Sequence, residues 1–230
     1  MATRTFRASC KMAFRRIIGL TGTIASGKSN ALLVLHELGA VTVDADKEAH
    51  ATYKQGTQCY TKIVTTFGDG VLGMDGEIDR RRLGSIVFDD DHKMQALNSI
   101  VWPAVRARVV ARLDELAIER NATSPLLPLI GVIEAALLFE SGWSLELDEV
   151  WLCATDDDEA VRRAALRPGM NEVEARKRLD LQRRGGIPAA ERARRASIVI
   201  DTSGPKDRTR ATIAGHWHEL IARLQQVDPV

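Results

Sequence analysis

The feature that most constrains the fold of this 230-residue chain is a glycine-rich octapeptide near its N-terminus. An apolar run, Ile17–Thr21, precedes it, and a segment that predicts a helix, Lys28–Leu38, follows it. A strand, a loop and a helix in this succession form a cradle for phosphate groups when the loop fits G-x-x-x-x-G-K-[ST]. The octapeptide fits that pattern and reads Gly22-Thr23-Ile24-Ala25-Ser26-Gly27-Lys28-Ser29.

The residue types of this loop explain how it would hold a nucleoside triphosphate. Glycines allow consecutive backbone N–H groups to point at phosphate oxygens, and the following helix adds the positive end of its dipole. Lys28 supplies a mobile positive charge to the β- and γ-phosphates, and the Ser29 hydroxyl is a ligand for Mg²⁺. We therefore predict ATP and Mg²⁺ as cofactors, against the alternative of a glycine-rich turn that binds nothing.

The alternation of predicted strands and helices indicates an α/β fold, with a parallel sheet covered by helices on both faces. Ligands in such sheets bind beyond the carboxyl ends of the strands. The apolar runs that predict strands are Ile17–Thr21, Val41–Asp44, Leu126–Ala135, Val150–Ala154 and Ile198–Asp201. Helical patterns cover about 28–38, 45–66 with a break near Gly56, 80–120 with a break near Pro103, 156–166, 172–184, 188–196 and 206–225.

Bulk composition excludes several classes of function. The chain is 45% apolar and 27% charged with a formal charge of +1, so it offers no overall field for nucleic acid or a membrane surface. No apolar run approaches the roughly 20 residues of a spanning helix. Cys10, Cys59 and Cys153 form no zinc-site spacing, which indicates a reducing compartment. We predict no nucleic-acid partner, no stable membrane insertion, and a monomer or weak oligomer.

The first sixteen residues are basic, and the first carboxylate of the chain is Glu37. On a helix, the basic side chains would share one side, and Phe6 and Phe14 would lie on another. This pattern is typical of a mitochondrial targeting segment, and a disordered basic tail is the open alternative. The predicted compartment is therefore cytoplasmic or mitochondrial, and Met12 is a candidate second start site.

Three classes of protein use such a loop, and two of them lack their second motif here. A GTPase would carry N-K-x-D, which is absent, and the D-x-x-G at Asp201–Gly204 lies too far downstream for a switch. The second class is a motor or transporter ATPase. A transporter would carry an LSGGQ-like signature, which is also absent, and the chain is short for a motor. The remaining class is a kinase that phosphorylates a small molecule.

A kinase needs a group that orients the acceptor hydroxyl, and the sequence offers Asp44 and Asp46 for this role. Both follow the second predicted strand, where residues two apart face the same way, so both carboxylates would point into one cleft. The alternative is that each aspartate caps the helix that follows it.

A kinase also needs cations that neutralise the transferring phosphoryl group, and a basic stretch supplies them. We interpret it as a lid that closes over ATP and excludes water. The alternatives are a solvated charged face and an RNA-binding patch, although no aromatic residue is interleaved for base stacking. The stretch holds Arg162, Arg163, Arg167, Arg176, Lys177, Arg178, Arg183, Arg184, Arg192, Arg194 and Arg195.

Several motifs in one order resemble the dephospho-CoA kinase family over about residues 17–225. They are Ile18–Gly22 through Lys28-Ser29, Leu38-Gly39-Ala40, Asp44-Ala45-Asp46, Phe67-Gly68, Asp75-Gly76, Asp79-Arg80, Leu83, Val87-Phe88, Pro103, Leu137–Glu140, Arg163, Arg167, Gln182, Val199–Asp201 and Gly204. The resemblance implies a P-loop core with a five-stranded parallel sheet, a helical CoA-binding lobe at about 56–120 and a lid at about 163–192. It also implies transfer of the ATP γ-phosphoryl group to the ribose 3′-hydroxyl of dephospho-CoA, which gives coenzyme A and ADP.

The resemblance assigns expected roles to particular residues. Asp46 is expected to orient the acceptor hydroxyl, with Asp44 beside it as a metal-shell or substrate ligand, and Arg80 to bind substrate from the lobe. The remaining assignments are Leu138 and Glu140 at a strand end that faces the acceptor, Arg163 and Arg167 as phosphate-binding lid residues, and Thr202-Ser203-Gly204 near adenine.

The sequence departs from many bacterial members of the family at Trp102, where they have His before the proline. This residue, the Glu134-Ala135-Ala136 run and Ser141-Gly142-Trp143 are similar to the kinase half of animal CoA synthase, so we expect a eukaryotic-type, stand-alone enzyme. Pro168 stands where the family usually has Asp. Two alternatives stay open: a P-loop kinase of another acceptor, such as a nucleoside or nucleotide, and a catalytically silent nucleotide-binding module.

Overall fold

The computed structural model describes residues 6–88, 90–123, 127–184 and 186–227. The chain divides into two compact units. The first comprises Met1–Val43 and Leu113–Val230, and the second comprises Asp44–Arg112. The lobe at about 56–120 and the lid at about 163–192 stay predictions.

A five-stranded sheet forms the centre of the first unit, as predicted. Its order is β2-β3-β1-β4-β5, and β1 pairs in parallel with both β3 and β4, as does β4 with β5. The strands are β1 Arg16–Gly22, β2 Val41–Asp44, β3 Ile130–Glu134, β4 Glu149–Ala154 and β5 Ile198–Asp201. The third strand was predicted from Leu126, which lies outside the described residues. It begins instead at Ile130, after Pro128, which has no N–H for a sheet hydrogen bond.

Helices follow the strands of the first unit, and they match the predicted positions to within a few residues. They are α2 Lys28–Glu37, α7 Asp157–Ala165, α8 Glu172–Arg184, α9 Ala189–Arg195 and α10 Lys206–Val227. A further short helix, α1 Phe6–Ser9, precedes β1 and was not among the predicted elements. Helix α2 ends as predicted at Gly39, whose φ of 99° suits only glycine. The N–H of Ala40 returns to the carbonyl of Leu35 at 3.0 Å, which closes the helix end.

The main apolar core of the first unit lies between the sheet and helices α2 and α10. Its centre is a set of fully buried side chains, which explains why the strands read as continuous apolar runs. They include Ile18, Leu20, Leu35, Ile130, Val132, Trp151 and Ile213.

The second unit is helical and has its own apolar core. Its helices are α3 Ala45–Thr52, α4 Gln58–Phe67, α5 Arg80–Val87 and the first part of α6 Asp91–Thr123. The buried core residues are Cys59, Ile63, Val71, Ile78, Leu83 and Val87. The predicted break near Pro103 is wrong, because α6 runs through that proline. The chain breaks earlier, between α5 and α6, where the Asp90 carboxylate accepts a hydrogen bond from the Lys93 N–H at 3.0 Å.

Residues 6–16 are folded onto the first unit, which corrects the prediction of a disordered or targeting segment for them. Phe6 is fully buried and packs against Trp143, with ring centroids 5.5 Å apart. The backbone N–H groups of Lys11 and Met12 donate to the Asp114 carboxylate, each at 2.9 Å. A detachable presequence would take a buried aromatic side chain out of the core. Among the described residues, no helix is long and apolar enough to cross a membrane.

Candidate functional site

The octapeptide forms the loop between β1 and α2, as predicted. Gly22 and Gly27 both have positive φ, 155° and 82°. A side chain on Gly22 would collide with the carbonyl oxygen of Cys153 and with Ser26 Oγ. The two glycines are therefore required by the path of the backbone, and α2 begins directly after the loop at Lys28.

Two side chains in the loop carry chemistry suited to phosphate. Lys28 is buried, and its ammonium group donates to the carbonyl oxygens of Gly22 at 3.0 Å and Thr23 at 2.9 Å. Ser26 Oγ is buried without a hydrogen-bond partner among the described residues. A buried hydroxyl of this kind is costly unless a ligand or water bonds to it, so the loop fits a phosphate oxygen. Ser29, the predicted Mg²⁺ ligand, is exposed in the first turn of α2.

A cavity of about 670 Å³ opens beside the loop at the carboxyl end of β5. The Thr202 hydroxyl fastens this region to the loop, because it lies 2.9 Å from the carbonyl oxygens of both Ser26 and Ala154. The cavity is lined by Gly27, Asn30, Glu159, Arg162, Arg163, Leu166, Thr202, Ser203, Gly204, Pro205, Lys206 and Thr209. The structure thus brings Ser203, Gly204 and Arg163 together with the end of the loop.

Arg163 is held in the wall of this cavity by two contacts. Its Nε donates to the Glu159 carboxylate at 2.6 Å, and its Nη2 donates to the Thr202 carbonyl at 2.7 Å. Hydrogen bonds from Arg162 and Arg163 lower the pKa of Glu159 to about 2. Arg167 follows the end of α7 as an exposed side chain and is not part of the described cavity lining.

Several other basic side chains of the predicted lid form surface ion pairs. Arg176 pairs with Asp158 at 2.6 Å, and Arg178 pairs with Glu174 at 3.0 Å. Exposed pairs of this kind contribute little to stability. These arginines are exposed and paired with carboxylates, and their place in a lid stays a prediction.

Asp44 and Asp46 both belong to the second unit. Asp44 is the last residue of β2, and its carboxylate accepts from the Lys47 N–H at 3.0 Å, so it caps α3. Asp46 lies in the first turn of α3. The prediction that the Asp44 and Asp46 side chains face the same way along a strand is therefore wrong. The extended backbone ends at Asp44, and Asp46 is helical, so the two-residue alternation of a strand does not apply to this pair.

Arg80 is the first residue of α5 in the second unit. Its Nη1 lies 2.8 Å from His50 Nε2, on the last turn of α3. The Asp79 carboxylate caps α5 and accepts from the Arg81 N–H at 2.8 Å. The substrate-binding role of Arg80 stays a prediction.

Leu138 and Glu140 lie in a turn after β3 rather than at the strand end, because β3 ends at Glu134. Leu138 is fully buried, where its methyl groups lie close to the backbone of Gly19. The Glu140 carboxylate accepts from Arg192 Nη2 at 2.5 Å in a nearly buried ion pair. The predicted contacts of these two residues with substrate stay predictions.

The family model described as dephospho-CoA kinase (CoaE) matches residues 16–207. The chain belongs to the dephospho-CoA kinase family. A dephospho-CoA kinase from Geobacillus kaustophilus is 41% identical over 211 residues, covering 92% of this chain and 96% of its own. The predicted class, a P-loop kinase acting in the last step of CoA biosynthesis, is confirmed at the level of the family.

Two solved structures resemble the fold of this family member. The Thermus thermophilus protein TT1252 is 32% identical with a TM-score of 0.68, covering 89% of this chain and 98% of its own. A dephospho-CoA kinase from Campylobacter jejuni is 25% identical with a TM-score of 0.61, covering 90% of this chain and 97% of its own. These relatives are bacterial, so the predicted eukaryotic type is not supported, and neither is mitochondrial targeting.

Sequence reasoning missed two residues that the structure brings to the loop. Glu134 ends β3 as a buried carboxylate in register with Leu20 of the neighbouring strand. Burial raises the pKa of the nearby Cys153 to about 12, with Lys28 opposing and Glu134 adding to that shift. The sequence signal that could have identified Glu134 is its position as an acidic residue at the end of an apolar strand. The second residue is Gln182, whose side-chain oxygen accepts a hydrogen bond from the Ile24 N–H at 2.9 Å. Apart from the resemblance to the family, no pattern in the sequence indicates this contact.

No group of three or more His, Cys, Asp or Glu side chains suited to a metal ion occurs among the described residues. The family implies Mg²⁺ together with ATP. The donor groups near the loop are a serine hydroxyl, Ser29, and the carboxylate of Glu134. Oxygen donors of this kind, completed by phosphate oxygens and water, are what Mg²⁺ prefers.

Proposed function

We propose that the chain transfers the γ-phosphoryl group of ATP to the ribose 3′-hydroxyl of dephospho-CoA. In this reaction the loop residues bind the phosphates, and Asp46 orients the acceptor hydroxyl. The observation that carries the proposal is the loop itself, which holds a buried Lys28 ammonium and a buried Ser26 hydroxyl that has no hydrogen-bond partner among the described residues. The family membership supports the choice of acceptor.

The nucleotide side of the reaction belongs to the first unit. The backbone N–H groups of Ala25 to Ser29 and the ammonium of Lys28 bind the phosphate chain. Arg163 neutralises charge that develops on the transferring group, and Arg167 joins it. Ser203 and Gly204 receive the adenosine part in the cavity of about 670 Å³. The Ser29 hydroxyl would hold Mg²⁺, which would supply charge neutralisation at the phosphates when bound.

The acceptor side relies on Asp46, which accepts the proton of the 3′-hydroxyl and aligns its oxygen for attack on the γ-phosphorus. The resemblance to the family assigns this role to Asp46, whereas the carboxylate of Asp44 caps α3 and pairs with the Lys47 ammonium at 3.1 Å. Asp44 then acts as a ligand in the metal shell or to substrate. Arg80, Leu138 and Glu140 contribute to acceptor binding.

The products are coenzyme A and ADP, since the P–O bond to ADP breaks as the bond to the 3′-oxygen forms. We place this reaction in the cytoplasm, in line with the bacterial relatives, and assign it to a monomer or weak oligomer. Dephospho-CoA and ATP are the small-molecule partners.

The decisive test is an ADP-release assay with dephospho-CoA, adenosine, AMP and uridine as separate acceptors. The proposal expects ADP release that depends on dephospho-CoA, with the new phosphate located on the 3′-oxygen by NMR. A preference for another acceptor would show a kinase of a different small molecule. ADP release that no acceptor stimulates would show a silent nucleotide-binding module. The Lys28→Ala variant serves as the background control.

A further inference from the structure

The third residue of the phosphate loop is bonded to a helix far away in the sequence. The backbone N–H of Ile24 donates to the side-chain oxygen of Gln182 at 2.9 Å, across 158 positions of chain. Gln182 lies near the end of α8, the helix that follows α7 and its Arg163. A backbone N–H of the loop is therefore satisfied by a protein group before any nucleotide arrives.

The next residue of the loop has an unusual backbone. Ala25 has a φ of 54°, the only positive φ of a non-glycine residue among those the structure describes. An L-residue in this region is strained, and the conformation persists only where the surroundings hold it. The conformation thus needs an external support.

That support comes from the same pair of helices. Ala25 is buried in a small apolar cluster with residues of α7 and α8, and Ile24 packs against the edge of this cluster. The α7 and α8 members are Ala160, Val161, Ala164, Ala175 and Leu179. Packing holds the Ala25 side chain, while the Gln182 bond fixes the Thr23–Ile24 peptide one unit earlier. Both contacts are made from outside the loop and from one direction.

We propose that Gln182 is a positioning residue of the phosphate loop. Its amide oxygen fixes the Thr23–Ile24 peptide at the entrance of the loop, so that the following N–H groups already point toward the phosphate position. Pre-organised donors cost no rearrangement when the ligand binds, so the affinity for nucleotide depends on this bond. The inference rests on the proposed function only in taking the loop as the nucleotide site, and it requires no particular acceptor.

The test compares Gln182→Met with a matched control, Gln225→Met. Methionine keeps the length of the side chain but offers no acceptor for the Ile24 N–H. Gln225 is an exposed glutamine on α10, where the same replacement touches neither loop nor cavity. The two readouts are amide hydrogen exchange in the peptide that spans residues 22–28, without nucleotide, and the dissociation constant for ADP by calorimetry.

For Gln182→Met we expect faster exchange in that peptide and about tenfold weaker ADP binding, the usual consequence of one lost hydrogen bond to a buried group. Gln225→Met should match the wild type in both. Unchanged exchange together with unchanged ADP affinity in Gln182→Met would overturn the proposal.

A second variant separates positioning from general damage to the fold. Gln182→Glu keeps an acceptor oxygen at the same length, so exchange in the loop peptide should stay close to that of the wild type. Fast exchange in Gln182→Glu, with the melting temperature unchanged, would also count against the proposal. Neither readout involves the small molecule that receives the phosphoryl group. An error in naming that molecule would therefore leave these results unchanged, so failure of this proposal can be told apart from failure of the proposed function.

Discussion

The phosphate loop in the first unit and the Asp44–Asp46 turn in the second unit differ in how their chemistry is made. The loop acts through backbone N–H groups whose directions are fixed by Gly22 and Gly27, so the pattern of residue types describes the geometry. The turn acts through side chains whose directions depend on where a strand stops and a helix starts. The comparison teaches that backbone-made sites can be derived from sequence, whereas a one-residue shift in an element reassigns a side-chain site.

The largest expected effect comes from Lys28 in the loop. Lys28→Ala removes the buried ammonium, and we expect kcat to fall by about 10³-fold, since a pre-organised charge at the transferring group is lost. Steady-state kinetics with dephospho-CoA measure this. Lys62→Ala, an exposed lysine on α4, is the matched control and should keep its turnover. Normal turnover in Lys28→Ala would show that the loop takes no part in the reaction.

The next effect tests the turn. Asp46→Asn should lower kcat by about 100-fold through loss of the proton acceptor, while the affinity for ATP stays unchanged. Rapid-quench kinetics and calorimetry separate the two quantities. The companion Asp44→Asn should lower kcat less than Asp46→Asn, because asparagine keeps the cap on α3 and only the charge of a metal-shell or substrate ligand is lost. The reverse order of effects would make Asp44 the acceptor-orienting residue.

A smaller effect concerns the stability of the turn. Asp44→Ala removes the cap on α3, and we expect the free energy of unfolding to fall by about 1 kcal/mol. Urea denaturation followed by circular dichroism measures the difference. The Asp44→Asn protein should unfold close to the wild type, and an equal loss in both variants would show that the cap is not what stabilises α3.

The smallest effect lies in the wall of the cavity beside the phosphate loop and depends on pH. Glu159 has a folded-state pKa lowered to about 2 from 4.5 by its arginine partners. A lowered carboxyl pKa adds stability above the unfolded value and loses it as pH falls through the folded value. Thermal unfolding of Glu159→Gln and wild type should therefore differ most near neutral pH and converge between pH 4.5 and 2. A difference that grows in acid would contradict the assignment.

The sheet and most helices could be predicted, because buried strands of a parallel sheet read as apolar runs and Gly39 requires a conformation that suits glycine. Pro103 misled because helix α6 continues through it. The segment before β1 misled because its basic residues resemble a leader, whereas the burial of Phe6 depends on Trp143, a partner that spacing does not reveal. Local patterns predict elements, while contacts between distant segments decide what lies in the core.

Among the site residues, the loop was predictable and the lid only partly so. Arg163 lies in the cavity wall, where it bonds to Glu159 one helical turn earlier and to the Thr202 carbonyl. Helical spacing is compatible with the first contact, but nothing in the sequence indicates the second. Gln182 could not be assigned a partner from sequence, because a hydrogen bond across 158 residues leaves no local trace.

The position of Phe6 has a consequence for how the protein is made. During synthesis, this side chain leaves the ribosome long before Trp143 exists, so the first segment waits unpaired until most of the sheet has been translated. The packing of this first segment therefore depends on a residue that is translated much later. Translation that started at Met12 would yield a protein whose Trp143 faces water instead of an aromatic neighbour.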